Sequence, residues 1–257
     1  MKKLLYALAL SLTCVMATAE VPQVVAHRGY HKAPGSAQNS IRSLVKADSV
    51  GCEKSEFDVW ISADNVLYVN HNPDINGVVI ETSHSTALDS QMLKNGERLP
   101  RLGVFLDTAA TLNIGLVLEL KPHKDSTRED VAIPMIIRMI AERGLADRTE
   151  YITFSRHAYD ALIAQSRRPV MFLSAMEPDV VKATGGAGAD FNISVYRKNP
   201  TWIGLLHEQG MPVNVWTVDK EEDLLWCIGH GVDMITTNEP ELAKEMISKR
   251  HSATRQE

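Results

Sequence analysis

Cysteine is scarce in this chain: Cys14, Cys52 and Cys227 are the only three in 257 residues. None of them stands at the spacing of a zinc site or a redox pair, so thiolate chemistry is not the basis of function. Cys52 and Cys227 read as two small buried thiols, with pairing in an oxidising compartment as the alternative. Clusters of Lys and Arg are also missing. The formal charge of −5 is mildly acidic, which argues against a nucleic-acid partner, because phosphate backbones are gripped by gathered basic side chains. There is no internal repeat, low-complexity tract or linker to divide the chain.

A long apolar run occurs only at the start, MKKLLYALALSLTCVMATAE, with Lys2 and Lys3 ahead of it and Ala17-Thr18-Ala19 behind. That layout is a secretory signal peptide over residues 1–19, too short to be a membrane span ahead of a domain. Export to the periplasm or the medium follows, with a lipoprotein anchored through Cys14 as the lesser reading. Removing those 19 residues leaves 238, and the loss of two lysines takes the formal charge to −7. Residues 20–257 suffice for one α/β barrel without a second domain and without a remaining membrane span.

What the chain does have is alternation. Strand-like runs occur at residues 24–28, 55–60, 66–70, 116–121, 151–155, 170–174, 190–194, 213–218 and 233–237, each rich in Val, Ile, Phe or Tyr. Helical patterns fall at residues 40–50, 102–112, 128–143, 158–165, 178–184, 201–209, 220–230 and 241–249. Gly144, Gly210 and Gly231 stand just past helix ends, and Pro200 and Pro240 just before helix starts. One junction is too short for a parallel crossover: five residues separate Trp60 from Val66, so the run over 66–70 folds back antiparallel, with Asp64-Asn65 in the turn. Setting that hairpin arm aside leaves eight βα units, enough to close a TIM (β/α)8 barrel carrying an extra β-hairpin arm after strand 2.

In such a barrel, functional side chains sit at the C-terminal ends of the strands. The period of two puts Glu56 and Asp58 on one face of strand 2, and Glu119 and Lys121 on one face of strand 3. His27 and Arg28 end strand 1, and the arm returns His71 to the same rim. Two carboxylates about 4 Å apart repel by roughly 4 kcal/mol at an effective dielectric of 20. The acids must therefore hold protons, pair with Arg28 and Lys121 in an ion-pair lattice, or bind a cation; oxygen ligands alone favour Mg2+ or Ca2+. Arg28 and Lys121 suit a phosphate, and two imidazoles from different strands suit a general acid and a general base. Trp216, in strand 7, is either an apolar wall of the site or plain barrel packing. His123 lies after the LELKP stretch, at the pocket rim or on a solvated loop.

VVAHRG, SEFDV, VNHN, LELK, NVWTVD and DMITTNEP occur in that order from Val24 to Pro240. In order and spacing the chain resembles the glycerophosphodiester phosphodiesterases, of the PLC-like phosphodiesterase superfamily. The resemblance implies a TIM barrel, with Glu56, Asp58 and Glu119 as ligands of one divalent cation. It implies His27 and His71 as the acid/base pair, His27 acting first as base, with Arg28 on the phosphate and Lys121 beside it. The activity implied is hydrolysis of a small glycerophosphodiester to sn-glycerol 3-phosphate and an alcohol, through a cyclic phosphate. Three acids common in the family are amides here: Gln38, Asn72 and Asn238. Two rivals stay open, a phosphodiesterase or phospholipase acting on another lipid head group and a secreted binding protein with impaired turnover.

Overall fold

In the computed structural model, which describes residues 21–254, eight parallel strands form the inner layer and helices the outer. The strands are β1 (Gln23–Ala26), β2 (Lys54–Ile61), β3 (Gly115–Leu120), β4 (Thr149–Thr153), β5 (Val170–Phe172), β6 (Ala189–Asn192), β7 (Val213–Trp216) and β8 (Met234–Thr237). The principal helices are α1 (Ile41–Ser49), α2 (Leu102–Ala109), α3 (Thr127–Glu142), α4 (Arg156–Ser166), α5 (Pro178–Ala183), α6 (Thr201–Glu208), α7 (Glu221–Gly229) and α8 (Pro240–Thr254). Parallel ladders join them in the order β5-β4-β3-β2-β1-β8-β7-β6. Between β5 and β6 a single backbone bond, Ala187 N–H to Val170 C=O at 3.0 Å, stands where a ladder would complete the ring. The barrel is nearly closed.

The strand pattern explains the layering. Phe57, Val59 and Ile61 of β2 point outward into the apolar shell shared with the helices, while Val25, Val117, Ile152, Met171 and Met234 fill the barrel's interior. The interior positions nearer the mouth are polar, and that is where the candidate site begins. A third apolar cluster, containing Trp60, Tyr68, Ile80 and Leu88, lies under the arm.

The arm is as expected: Leu67–Val69 pairs antiparallel with Val59–Ile61. Its turn takes one left-handed residue, Asn65 at φ 65°, and Asp64 serves instead as an acceptor for the Ser62 hydroxyl at 2.7 Å and the Ser85 N–H at 2.9 Å. The excursion before α2 adds a small hairpin (Asp74–Ile75 with Val78–Val79) and a helical turn at Ser85–Leu88, neither of which the apolar pattern signals. β6 is followed by an additional helix, Ile193–Lys198, ahead of α6. Cys52 and Cys227 are separate buried thiols. The expected signal peptide and Cys14 lie outside the described residues.

Candidate active site

The strand register builds the site. Asp58 lies opposite Glu119 across the β2–β3 ladder and Glu56 opposite Val117, so alternate residues bring all three acids to one interior face. Each offers an oxygen within 4.8 Å of the others, and all three side chains are buried. β1 stops at Ala26, two residues earlier than the sequence suggests, because the chain turns there: Arg28 is left-handed at φ 56° and Gly29 at φ 70°. That turn aims the Arg28 N–H at Glu56 Oε2 (2.7 Å) and the Gly29 N–H at the Glu56 carbonyl (3.1 Å). A Cβ on Gly29 would lie 2.7 Å from the Ser43 carbonyl carbon, so the third residue of HRG has no room for a side chain. Asp58 is clasped by Asn39, itself left-handed at φ 60°: Asn39 Nδ2 donates to Asp58 Oδ2 at 2.8 Å and the Asp58 N–H to Asn39 Oδ1 at 3.2 Å.

Lys121 Nζ sits 3.2 Å from Asp58 Oδ1 and 2.7 Å from Glu119 Oε1, and Arg28 Nε is 3.8 Å from Asp58. The pairing therefore centres on Asp58, and among the described residues no cationic side chain lies within bridging distance of Glu56. Three carboxylates against two bases leave a negative charge if all are ionised. Burial, then Asp58 and Glu119, drive Glu56 well above the ordinary range, and burial with Asp58 lifts Glu119 to about 8. Burial also raises Asp58, but Lys121, His71, Asn39 and Arg28 outweigh it and hold this acid below its ordinary value. Without a cation the cluster holds protons. Among the described residues Glu56 Oε1 is buried with no hydrogen-bond partner and Glu119 Oε1 meets only the Lys121 ammonium, a donor set that a hard cation would fit.

The two imidazoles arrive by different routes. His27 follows β1 directly. His71 is returned by the arm, whose end is fixed by Asn70 N–H to Asp58 C=O (3.0 Å) and Trp60 Nε1–H to His71 C=O (3.3 Å). An amide oxygen meets Nδ1 of each ring: Asn238 Oδ1 lies 2.8 Å from His27 Nδ1, and Asn72 Oδ1 3.0 Å from His71 Nδ1. Asn238 is oriented by Asp219, which accepts its Nδ2–H at 2.7 Å and its backbone N–H at 2.8 Å. A carboxylate only accepts, so Nδ2 must face Asp219 and Oδ1 must face His27; that oxygen also only accepts, so His27 carries its hydrogen on Nδ1. Nε2 keeps its lone pair. Burial, then Arg28, lowers His27 to about 4, so the ring is neutral near pH 7. Burial lowers His71 too, against an upward pull from Asp58.

A cavity of about 110 Å3 is lined by all the sequence-predicted site residues except Asp58, including Trp216. Trp216 is half-buried, donates Nε1–H to the Asp190 carbonyl at 3.0 Å and meets Phe154 edge-on at 5.7 Å, so it forms a wall of the cavity. The sequence reading missed Asn39, Asp219 and His31, whose Nε2 shares Asn238 Oδ1 at 2.8 Å. His123 is neither a rim residue nor solvated: it is buried, its Nε2 accepting the Ile61 N–H at 3.3 Å and its ring against Trp60.

The model of the Glycerophosphoryl diester phosphodiesterase family matches residues 27–242, from His27 to beyond β8. The chain belongs to that family. It is 40% identical to a glycerophosphodiester phosphodiesterase from Parabacteroides distasonis of known crystal structure, with a TM-score of 0.88 over 90% of this chain and 98% of that one. A phosphodiesterase from Oleispira antarctica, solved with the product sn-glycerol-3-phosphate, shares the fold at a TM-score of 0.78 and 20% identity, over 89% of this chain and 97% of that one. The human glycerophosphoinositol inositolphosphodiesterase is 25% identical over 93% of this chain, which spans only about half (50%) of that relative's length. Among the described residues, no helix of this family member is long and apolar enough to cross a membrane.

Proposed function

We propose that this protein is an exported glycerophosphodiester phosphodiesterase, dependent on Mg2+ or Ca2+, that releases sn-glycerol 3-phosphate and an alcohol. The observation that carries the reading is the meeting of three buried carboxylates with two imidazoles from separate chain segments at one cavity. Export rests on the charged, apolar and small-residue layout of residues 1–19.

Glu56, Asp58 and Glu119 would hold the cation, which would supply Lewis acidity toward the phosphoryl group. His27 Nε2 takes the proton of the free glycerol hydroxyl beside the phosphoester. That oxygen bonds to phosphorus while the bond from phosphorus to the leaving alcohol breaks, and His71 gives the departing oxygen a proton. Asp58 pulls both rings upward, but burial and then Arg28 hold His27 down to about 4, which suits His27 to the base role and leaves the acid role to His71. A water molecule then opens the cyclic phosphate with the two imidazoles exchanging roles. Arg28 and Lys121 stabilise the charge that builds on the phosphoryl oxygens. Arg28 is the freer of the two, since its guanidinium hydrogen-bonds the Gln38 amide at 2.9 Å and comes only to 3.8 Å from Asp58.

The test is hydrolysis of glycerophosphodiesters by the mature protein, first in EDTA and then with Mg2+ or Ca2+ restored. Turnover that needs the cation and vanishes in His27→Ala and Glu56→Gln is expected; binding without product would leave only the binding-protein reading.

A further inference from the structure

The small cavity at the acids does not end the site. A larger one, of about 420 Å3, lies on the other side of His71, which lines both. Gln38 lines the larger cavity while its Oε1 accepts from Arg28 at 2.9 Å. The imidazole assigned to protonate the leaving oxygen and the amide that holds the phosphate-binding guanidinium thus stand on the boundary between the two spaces. A diester whose glycerol and phosphate occupy the inner cavity has its alcohol directed outward, past His71.

The outer wall has a definite chemistry. Four carboxamides line it, and the protein uses half of each. Gln38 Oε1 is taken by Arg28 and Asn72 Oδ1 by His71 (3.0 Å), which leaves the two amide NH2 groups. Asn70 Nδ2 is spent on the carbonyls of Asn72 (2.8 Å) and Asp74 (3.2 Å), and Asn76 Nδ2 on Gln91 Oε1 (3.2 Å) and the Met92 carbonyl (3.3 Å), which leaves the two oxygens. Two donors and two acceptors remain around one space, the pattern that hydroxyls match because each both gives and takes a hydrogen bond. The charged side chains of that wall outside the His residues, Asp74 and Lys94, are of opposite sign, and no Phe, Tyr or Trp lines it among the described residues. A quaternary ammonium is recognised by aromatic faces, and this cavity has none.

We propose that the outer cavity is the leaving-alcohol subsite and that it selects an uncharged polyol head group over choline or ethanolamine. The inference rests on the phosphodiesterase reading above and adds to it the class of diester preferred. Lys94, exposed on the excursion that closes the cavity, offsets Asp74 there, so the wall has no net charge to hold a cationic head group, while hydroxyls bridge Gln38 and Asn72 to Asn70 and Asn76.

The experiment is kcat/KM for four substrates, glycerophosphoglycerol, glycerophosphoinositol, glycerophosphocholine and glycerophosphoethanolamine, measured on the wild type and on two variants. The wild type is expected to favour the two polyol diesters by at least about tenfold. Asn76→Gly removes one free acceptor while keeping the left-handed backbone there, φ 51°, and is expected to lower the polyol-to-ethanolamine ratio at least threefold. Lys94→Glu is expected to move the same ratio further toward the cationic diesters, with thermal melting checking that both variants fold. Equal kcat/KM on all four substrates, or variants that change every substrate by one common factor, would overturn the subsite. Failure to hydrolyse any of the four would instead overturn the phosphodiesterase reading.

Discussion

Exchanging Asp219 for Asn tests what sets His27 up for its proposed role as base. Asp219 never reaches the cavity; it acts through Asn238, whose Nδ2–H it accepts at 2.7 Å. A hydrogen bond to a charged group contributes about 1.5–3 kcal/mol, and that bond is what prevents the Asn238 amide from turning over. A reversed amide would offer Nδ2–H to His27, forcing the ring to hold its hydrogen on Nε2, where a base needs a lone pair. At about 1.4 kcal/mol per decade, loss of this preference corresponds to a kcat reduced by about ten- to a hundredfold in Asp219→Asn, with KM changed less than about threefold. Nitrogen-15 spectra of His27 read the tautomer directly: the wild type carries hydrogen on Nδ1, and the variant populates both forms. Combining Asp219→Asn with Asn238→Asp restores an acceptor at Nδ1 and recovers most of kcat. It also places a carboxylate against a ring now lowered to about 4, so His27 gains proton affinity and the acid limb of the pH profile moves to higher pH. A variant whose His27 spectrum and kcat match the wild type would refute the reasoning.

The acid cluster couples stability to pH. Glu119 is lifted to about 8 from an ordinary 4.5, so its own contribution to the stability of cation-free protein is fully present below about pH 4.5 and is lost as pH rises through about 8, where the folded state too gives up the proton. Thermal melting should therefore show a stabilisation by Mg2+ or Ca2+ that is small at pH 5 and large at pH 8.5; a pH-independent difference would contradict the raised acids. Asn39→Ala removes the clasp on Asp58 and is expected to weaken cation affinity by about 10–100-fold by calorimetry, whereas unchanged affinity would make Asn39 purely structural. Gly29→Ala forces a left-handed alanine, about 1–2 kcal/mol, besides the clash with Ser43. It should lower Tm by at least roughly 2–8 °C and weaken cation binding through Glu56, and an unaltered melt would mean that the turn is looser than its geometry.

The barrel was legible because its eight units repeat a pattern that physics leaves few ways to satisfy: a parallel strand needs a crossover, and the five residues after Trp60 cannot supply one. Glu56, Asp58 and Glu119 were legible for a related reason, since the period of two makes a polar pair in an apolar strand visible without coordinates. Asn39 and Asp219 were not. Asn39 works only because it adopts φ 60°, a backbone choice that no periodicity encodes. Asp219 matters through Asn238, which reaches a histidine 211 residues away across the join of β8 and β1. His31 shows no partner spacing in the sequence for the same reason, its partner Asn238 lying 207 residues away. Three positions where family acids give way to amides invited a reading of lost function, but each amide oxygen lies against one of the proposed catalytic groups, Arg28, His71 or His27. The outer cavity is built from loops and an excursion with little regular structure, where composition carries no register.

The central claim is that a divalent cation completes the cluster of Glu56, Asp58 and Glu119 beside the two imidazoles. A crystal structure of the protein soaked in Ca2+ tests it most directly. One ion contacting oxygens of all three side chains, with His27 and His71 facing the same space, is the predicted result. Crystals in which Lys121 still bridges Asp58 and Glu119 at millimolar Ca2+, with no ion between the acids, would contradict the account.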